Sequence, residues 1–160
     1  MGKITKVWHH ETAERLFCEE IDVGEGSPRP IVSGLRQFYT LEQMEGRNVI
    51  VCCNLEKRSM QGFTSLGMVL AAKSADGSVV ELVAPPVGSK VGDRISILGL
   101  TGEPWPSKKI SKNKLLEAVL PELYIDGERR ACWQGQVLST ISAQGLGPCL
   151  VDTLINSQIS

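Results

Sequence analysis

Asn48-Val49-Ile50-Val51-Cys52-Cys53 is a run of β-branched and apolar residues with no polar alternation. It is too short for a typical helix and reads as a central strand buried on both faces. Working upstream, Gly24-Glu25-Gly26-Ser27-Pro28 separates Arg15–Val23 from Arg29–Val32, which ends at Ser33-Gly34. Glycine frees the backbone in such a break and proline fixes it. Downstream, Gly67–Ala72 is another short apolar run, closed by Lys73-Ser74-Ala75-Asp76-Gly77-Ser78. Its Asp-Gly suits a hairpin turn, with Ser78–Val83 as the return strand. Arg94–Leu98 makes a further strand after Val91-Gly92-Asp93. One helix interrupts this pattern: Thr40 caps Leu41-Glu42-Gln43-Met44-Glu45, Gln43 completes a capping box, and Gly46 stops it. Five or six short strands separated by loops predict an all-β barrel or sandwich.

The character changes at Gly102-Glu103-Pro104-Trp105-Pro106. Beyond it lie Lys108, Lys109, Lys112 and Lys114, then a predicted helix over Asn113–Leu120. That helix carries Leu115, Leu116, Val119 and Leu120 on one face and halts at Pro121. Short strands follow at Ala131–Trp133 and Val137–Ile141. A boundary near residue 103 divides the chain into a domain over 1–103 and an extension over 104–160. The extension is too small to stabilise itself and is expected to pack on the first part.

The 160 residues are 42% hydrophobic and 22% charged, which excludes a disordered or fibrous chain and fits a soluble globular one. No apolar run reaches membrane-spanning length, and no apolar stretch follows Lys3 and Lys6, so no secretory signal is expected. The five cysteines are odd in number and include no C-x-x-C. Free, mostly buried thiols in a reducing, cytoplasmic setting are expected rather than disulfides. The only histidines, His9 and His10, are neighbours with no third ligand at zinc spacing, so neither metal nor cofactor is expected. Enzyme motifs are missing too: Ile31 stands where the nucleophile elbow around Ser33 would need its first glycine. A turn serine satisfying nearby backbone groups is the simpler role.

The net charge of −1 rules against strong, purely electrostatic nucleic-acid binding by the whole surface. Residues 1–103 hold 11 Lys and Arg against 13 Asp and Glu, and residues 104–160 hold 6 against 5. Any phosphate-binding face must therefore be local, at Lys57-Arg58 or in the four lysines within Lys108–Lys114. Trp8 and Phe63 offer rings that would either pack in the core or stack on bases.

Specific strings narrow the reading. Asp22-Val23-Gly24-Glu25, then Pro28-Arg29 and Ile31-Val32-Ser33-Gly34-Leu35, resemble the tRNA-binding domain of the endothelial-monocyte-activating-polypeptide type. The resemblance continues through Cys53-Asn54-Leu55, Met60-x-Gly62, Ser65-x-Gly67-Met68, Ala84-Pro85-Pro86-x-Gly88-Ser89 and Gly92-Asp93-Arg94-Ile95. Past the barrel, Lys112-Asn113-Lys114 and Ala131-Cys132-Trp133-x-Gly135 resemble the C-terminal extension of the eukaryotic members. Two departures stand out. The His-Pro-Asp-Ala-Asp segment of the family reads His10-Glu11-Thr12-Ala13-Glu14, and its Lys-Met-Arg-Gly turn reads Ser59-Met60-Gln61-Gly62, losing two basic side chains. Family members begin several residues before Gly2, which implies a shortened first strand or a module of a longer protein.

The resemblance implies a five-stranded OB-fold with a short helix and a smaller α+β extension packed on it. It implies a non-catalytic, monomeric module that binds tRNA and assists an aminoacyl-tRNA synthetase, in cis or in trans, with no membrane partner. On that reading Arg29, Arg36, Lys57, Arg58 and Lys73 contact phosphates. Asn54 and Ser65 supply loop hydrogen bonds, and Lys108, Lys109, Lys112 and Lys114 extend the surface. The near-neutral charge and the missing basic turn favour a second reading, a protein-interaction or cytokine-like signalling module. A hydrolase using Ser33 with His9 or His10 is a third.

Overall fold

The computed structural model describes residues 1–142 and 145–160. In chain order its elements are β1 (Gly2–His9), β2 (Phe17–Asp22), β3 (Arg29–Ser33), α1 (Leu41–Met44), β4 (Asn48–Val49), β5 (Val51–Cys52), β6 (Arg58–Met60) and β7 (Phe63–Ser65). There follow β8 (Met68–Val69), β9 (Ala71–Lys73), β10 (Val80–Leu82), β11 (Ser96–Ile97), α2 (Ser107–Lys112), α3 (Leu115–Val119) and a 3-10 turn at Leu120–Glu122. The chain closes with β12 (Leu123–Ile125), β13 (Ala131–Trp133), β14 (Gln136–Ser142), β15 (Gly145–Pro148) and β16 (Ser157–Ile159).

Two hydrophobic cores lie back to back, and the strands between them face both. Along 49–53 the side chains alternate strictly: Val49, Val51 and Cys53 pack in the first core, Ile50 and Cys52 in the second. The same alternation runs through Met68–Ala72, with Val69 and Ala71 in the first core and Met68, Leu70 and Ala72 in the second. A strand's period of two sends neighbours to opposite faces, so a strand between two cores has no polar face. The apolar run at 48–53 is therefore a two-faced segment, as its composition predicts. Its hydrogen bonding differs from the expectation of one strand. β4 pairs with β1 and β5 with β8, and the Leu70 amide donates to the Ile50 carbonyl at 3.0 Å where the partner changes.

The first core is wrapped by the antiparallel sheet β3-β2-β1-β4 and contains Ile4, Phe17, Ile21, Ile31 and Met44. The helix α1 carries the expected capping box: the Gln43 amide donates to Thr40 Oγ1 at 3.3 Å and the Thr40 amide to Gln43 Oε1 at 2.8 Å. The Asp76-Gly77 hairpin joins β9 to β10, but through six residues rather than two. Asp76 does not enter the left-handed region; its carboxylate instead accepts from Ser74 Oγ at 2.6 Å and the Ser78 amide at 3.1 Å.

The second core joins the two parts of the chain. Ile50, Leu70, Ala72 and Val83 meet Leu123, Ile125, Ala131, Cys149, Val151 and Ile159 there. Each large aliphatic buried this way contributes about 1.5–3 kcal/mol relative to exposure. The sheet runs across as well: β16 inserts between β9 and β12 in the order β10-β9-β16-β12-β13-β14-β11. Glu81 of β10 adds a polar clamp, accepting the Thr153 amide at 2.8 Å, the Leu154 amide at 3.0 Å and the Thr153 hydroxyl. The predicted helix over Asn113–Leu120 is shorter, at Leu115–Val119, and continues as the 3-10 turn. Its apolar side is half-buried, as Leu115, Leu116, Val119 and Leu120 are.

Candidate nucleic-acid interface

The lysine cluster folds into α2, a helix the sequence reading leaves out because Ser107–Lys112 offers only Ile110 as an apolar residue. Lys108, Lys109 and Lys112 are exposed, and Lys109 and Lys112 sit in its last turn, where the helix dipole favours cations. The Asn113 side chain donates to the Lys109 carbonyl at 2.8 Å. Lys114 then turns the chain with φ of 51° before α3.

Two hydrogen bonds fix this helix beside the barrel. Asn54 Nδ2 donates to the Trp105 carbonyl at 3.0 Å, and Ser107 Oγ donates to the Glu56 carboxylate. Lys109 Nζ lies 3.3 Å from the centroid of the Trp105 ring, a cation–π interaction that pins the approach to α2. The loop holding Asn54 and Glu56 runs directly into Lys57 and Arg58, both exposed. A cavity of about 500 Å³ opens between this part of the barrel and the helices. Arg58, Lys73, Met60, Phe38, Ile110 and Leu116 are among its lining residues. Lys73 lies over its own hairpin: a Cβ at Gly77, whose φ is +74°, would meet Lys73 Cε at 2.9 Å.

Three other residues expected at the interface are committed internally. Arg29 donates to Glu25 Oε1 and Oε2 at 2.6 and 2.7 Å, and to the carbonyls of Cys53 and Leu66 at 2.7 and 2.8 Å. Its hydrogen bonds to Glu25 raise the guanidinium pKa, and the same bonds lower that of Glu25. Arg29 thus ties the loops around β5 and β7 to β3. Arg36 donates to the carbonyls of His10 and Ala13 at 3.4 and 3.3 Å. It holds the turn that His10 also holds, Nδ1 accepting the Thr12 and Ala13 amides at 3.2 Å each. Ser65 is buried, accepting from the Val32 amide at 3.1 Å and donating to the Gly67 carbonyl at 3.0 Å.

Ser33 donates its hydroxyl to Glu19, not to backbone as a turn serine would. Its expected histidine partners are engaged elsewhere, with His9 stacked on Phe17 at 5.6 Å between centroids. Sequence reasoning misses one cation, Lys6, whose Nζ lies 5.1 Å from the Trp8 ring centroid. The pattern that reveals it is simple: Lys6 and Trp8 are two apart in a strand and so share a face. The five thiols are free, with Cys18, Cys132 and Cys149 buried. Burial pushes Cys52 up to about 11 and Cys149 up to about 12, far from the thiolate that reactivity needs.

Residues 1–94 match the family described as "Putative tRNA binding domain". Over 159 residues the chain is 43% identical to a probable methionine–tRNA ligase of Oryza sativa subsp. japonica, covering 99% of this chain and 19% of that protein. It is 39% identical over 160 residues to aminoacyl tRNA synthase complex-interacting multifunctional protein 1 of Cricetulus griseus, covering 99% and 43%. The chain thus spans less than half the length of these relatives. Among solved structures, the C-terminal domain of Plasmodium vivax p43 superposes with a TM-score of 0.85 at 31% identity, covering 99% of this chain and 93% of that one. The curled sheets around the first core are the OB-fold that the resemblance implies, carrying an α+β extension.

Proposed function

The chain belongs to the tRNA-binding domain family, and from that premise we propose that it is a non-catalytic module holding tRNA by backbone and shape. It serves an aminoacyl-tRNA synthetase, in cis or in trans. Residues 1–103 form the OB barrel and residues 104–160 the extension. The observation that carries this reading is the attachment of the lysine helix to the barrel loop that leads into Lys57 and Arg58. In a chain of net charge −1, the lysine helix is fastened by Asn54 and Glu56 beside Lys57 and Arg58. Together they make one cationic face.

Within that face, Lys57, Arg58, Lys73, Lys108, Lys112 and Lys114 take the phosphates. Lys109 adds charge from its seat on Trp105. Asn54, Arg29 and Ser65 hold the loops next to these cations, and Arg36 holds the turn at residues 10–13. Lysine and arginine heads release counterions when they meet a nucleic-acid backbone, which gives affinity with little base reading. Tethered to a catalytic body, a weak binder of this kind raises the local concentration of tRNA. The module acts as a monomer, its extension covering a face that would otherwise pair with a second copy. A cytoplasmic location fits its five free thiols. Among the described residues no helix is long and apolar enough to cross a membrane.

The test is a titration against mixed tRNA, with duplex DNA as competitor, at several salt concentrations. Binding that prefers tRNA and falls steeply between about 50 and 200 mM salt is expected, and Lys57→Glu with Arg58→Glu abolishes most of it. Affinity that hardly changes over that range overturns the phosphate mechanism.

A second reading, protein docking, has its own observation. Leu98, Leu100 and Trp105 are 76%, 55% and 46% exposed on one connecting segment, and exposed apolar side chains in series favour protein partners. Retention of a synthetase partner after ribonuclease treatment, abolished in Leu98→Ser with Leu100→Ser, supports that use of the segment.

A further inference from the structure

We propose that Trp8 and Phe63 form a stacking site for an unpaired base of the bound RNA, with Lys6 and Arg58 taking the flanking phosphates. The inference rests on the RNA-binding reading and adds to it a class of target: a single-stranded element, not only a folded backbone.

The geometry begins with a bulge. The pairing of β1 with β2 skips Thr5, passing from Ile4↔Ile21 to Lys6↔Glu20. Ile4 and Val7 both pack in the first core, so Lys6 and Trp8 share the outer face. Phe63 arrives from the hairpin of β6 and β7, where Met60 pairs with Phe63 across the two-residue turn Gln61-Gly62. Positive φ at both residues, 50° and 88°, gives the tight turn whose twist matches the flanking strands. The Trp8 and Phe63 rings meet edge to face, with centroids 5.9 Å apart and planes at 68°.

Neither ring belongs to either hydrophobic core, and both are half-buried. Edge-to-face packing uses one face of one ring and an edge of the other, so aromatic surface becomes available to a third ring once the flexible Lys6 side chain swings off Trp8. Every base has such a face, and stacking on it is tolerant of sequence. Charge flanks the pair on both sides. Lys6 Nζ lies over the Trp8 ring, 5.1 Å from its centroid, where an incoming base would displace it toward its own phosphate, and Arg58 shares with Phe63 one face of the hairpin, two positions along. Both cations are exposed, and neither forms an ion pair among the described residues. Glu20, opposite Lys6, offsets part of the local charge.

The location also matters. This is the hairpin where Ser59 and Gln61 stand in place of two basic residues of the resembled turn. A base-stacking contact at this hairpin needs no basic side chain at those two positions. The rings also shelter Cys18 and Val32, the buried neighbours of Trp8 across β2 and β3, so a structural role must be separated from a binding one.

The probes are a twelve-nucleotide oligo(A), a blunt-ended RNA duplex of equal charge, and mixed tRNA. Wild-type protein is expected to show tryptophan quenching with oligo(A), of which Trp8→Phe, a variant that keeps a ring at that site, removes the share due to Trp8 and leaves any from Trp105. Trp8→Ala with Phe63→Ala, checked for a native thermal melt, is expected to weaken oligo(A) binding about tenfold or more. The duplex affinity and the salt dependence stay unchanged. Salt-sensitive tRNA binding with oligo(A) affinity indifferent to both rings, or oligo(A) binding with no quenching from Trp8, overturns the stacking site alone. Failure to bind tRNA and oligo(A) at any salt overturns the RNA-binding reading and this inference with it.

Discussion

The Ser33 hydroxyl donates to the Glu19 carboxylate inside the barrel, where Glu19 is 0% exposed. Glu19 alternates with Phe17 and Ile21 along β2, so the strand's period turns a carboxyl inward among apolar side chains. Its second oxygen has no partner among the described residues. Burial pushes its pKa up to about 7, and the Ser33 bond opposes that rise only in part.

A folded-state pKa above the ordinary 4.5 means that the folded protein binds more protons than the unfolded chain between those values. Stability is therefore greatest below about pH 4.5, as far as this group is concerned, and declines as pH rises toward 7. The difference amounts to about 3 kcal/mol once the group is ionised in both states. Glu19→Gln keeps the Ser33 bond and removes the ionisation, so it is expected to flatten that decline and to gain stability at pH 8. Urea unfolding of both proteins at pH 5.5 and pH 8 measures it; equal pH slopes would refute the assignment.

Glu81 presents the opposite case. Burial would raise its pKa, but the amides of Leu154 and Thr153 and the Thr153 hydroxyl outweigh it and lower the pKa overall. Its contribution is present above the unfolded pKa and is lost as pH falls through the depressed folded one. Glu81→Ala removes the shared acceptor of the exposed Thr153 and the half-buried Leu154 and is expected to cost about 1 kcal/mol. Limited proteolysis should then cut first around residues 150–156, whose backbone this carboxylate holds.

Much of the barrel was legible because its signals are local, but β1 and the hairpin of β6 and β7 are not among the strands the sequence pattern marks. Thr40 and Gln43 lie three residues apart, and the apolar run at 48–53 carries its two-core facing in its composition. What escaped depends on distant partners. Ile50 ends one strand pairing and begins another only because Leu70 reaches its carbonyl. Arg29 reads as a free cation until Cys53 and Leu66, 24 and 37 residues away, offer their carbonyls. The helix α2 has no apolar periodicity, since it is held by Asn54, Glu56 and the Trp105 ring rather than by a buried stripe. The strand β16 is three residues long and exists because β9 and β12 leave a slot between them.

The Cys53 and Leu66 carbonyls set Arg29 apart from the cations proposed to take phosphates. Arg29→Ala removes the hydrogen bonds to Glu25 and leaves the Cys53 and Leu66 carbonyls short of a donor. A loss of about 2 kcal/mol of stability is expected, seen as a lower urea midpoint. The salt dependence of tRNA binding by the fraction that remains folded should match wild type. A reduced salt slope with unchanged stability would instead make Arg29 a phosphate ligand.

The lysine helix yields the converse pattern. Lys108, Lys112 and Lys114 are exposed and make no ion pair among the described residues, so their replacement by glutamine disturbs no packing. Every phosphate left without its cation lowers the slope of log affinity against log salt by about 0.7–0.9. The triple variant is therefore expected to reduce the slope by about 2–3 with its urea midpoint unchanged. Lys109 differs, because its ammonium also pins Trp105. Lys109→Gln should lower the slope by at most the share of a single phosphate and also loosen the start of α2, read as faster exchange of the Lys109 and Ile110 amides that donate to the Pro106 carbonyl. If all four lysines behaved alike in both measurements, the Lys109–Trp105 pair would have no part in holding the helix against the barrel.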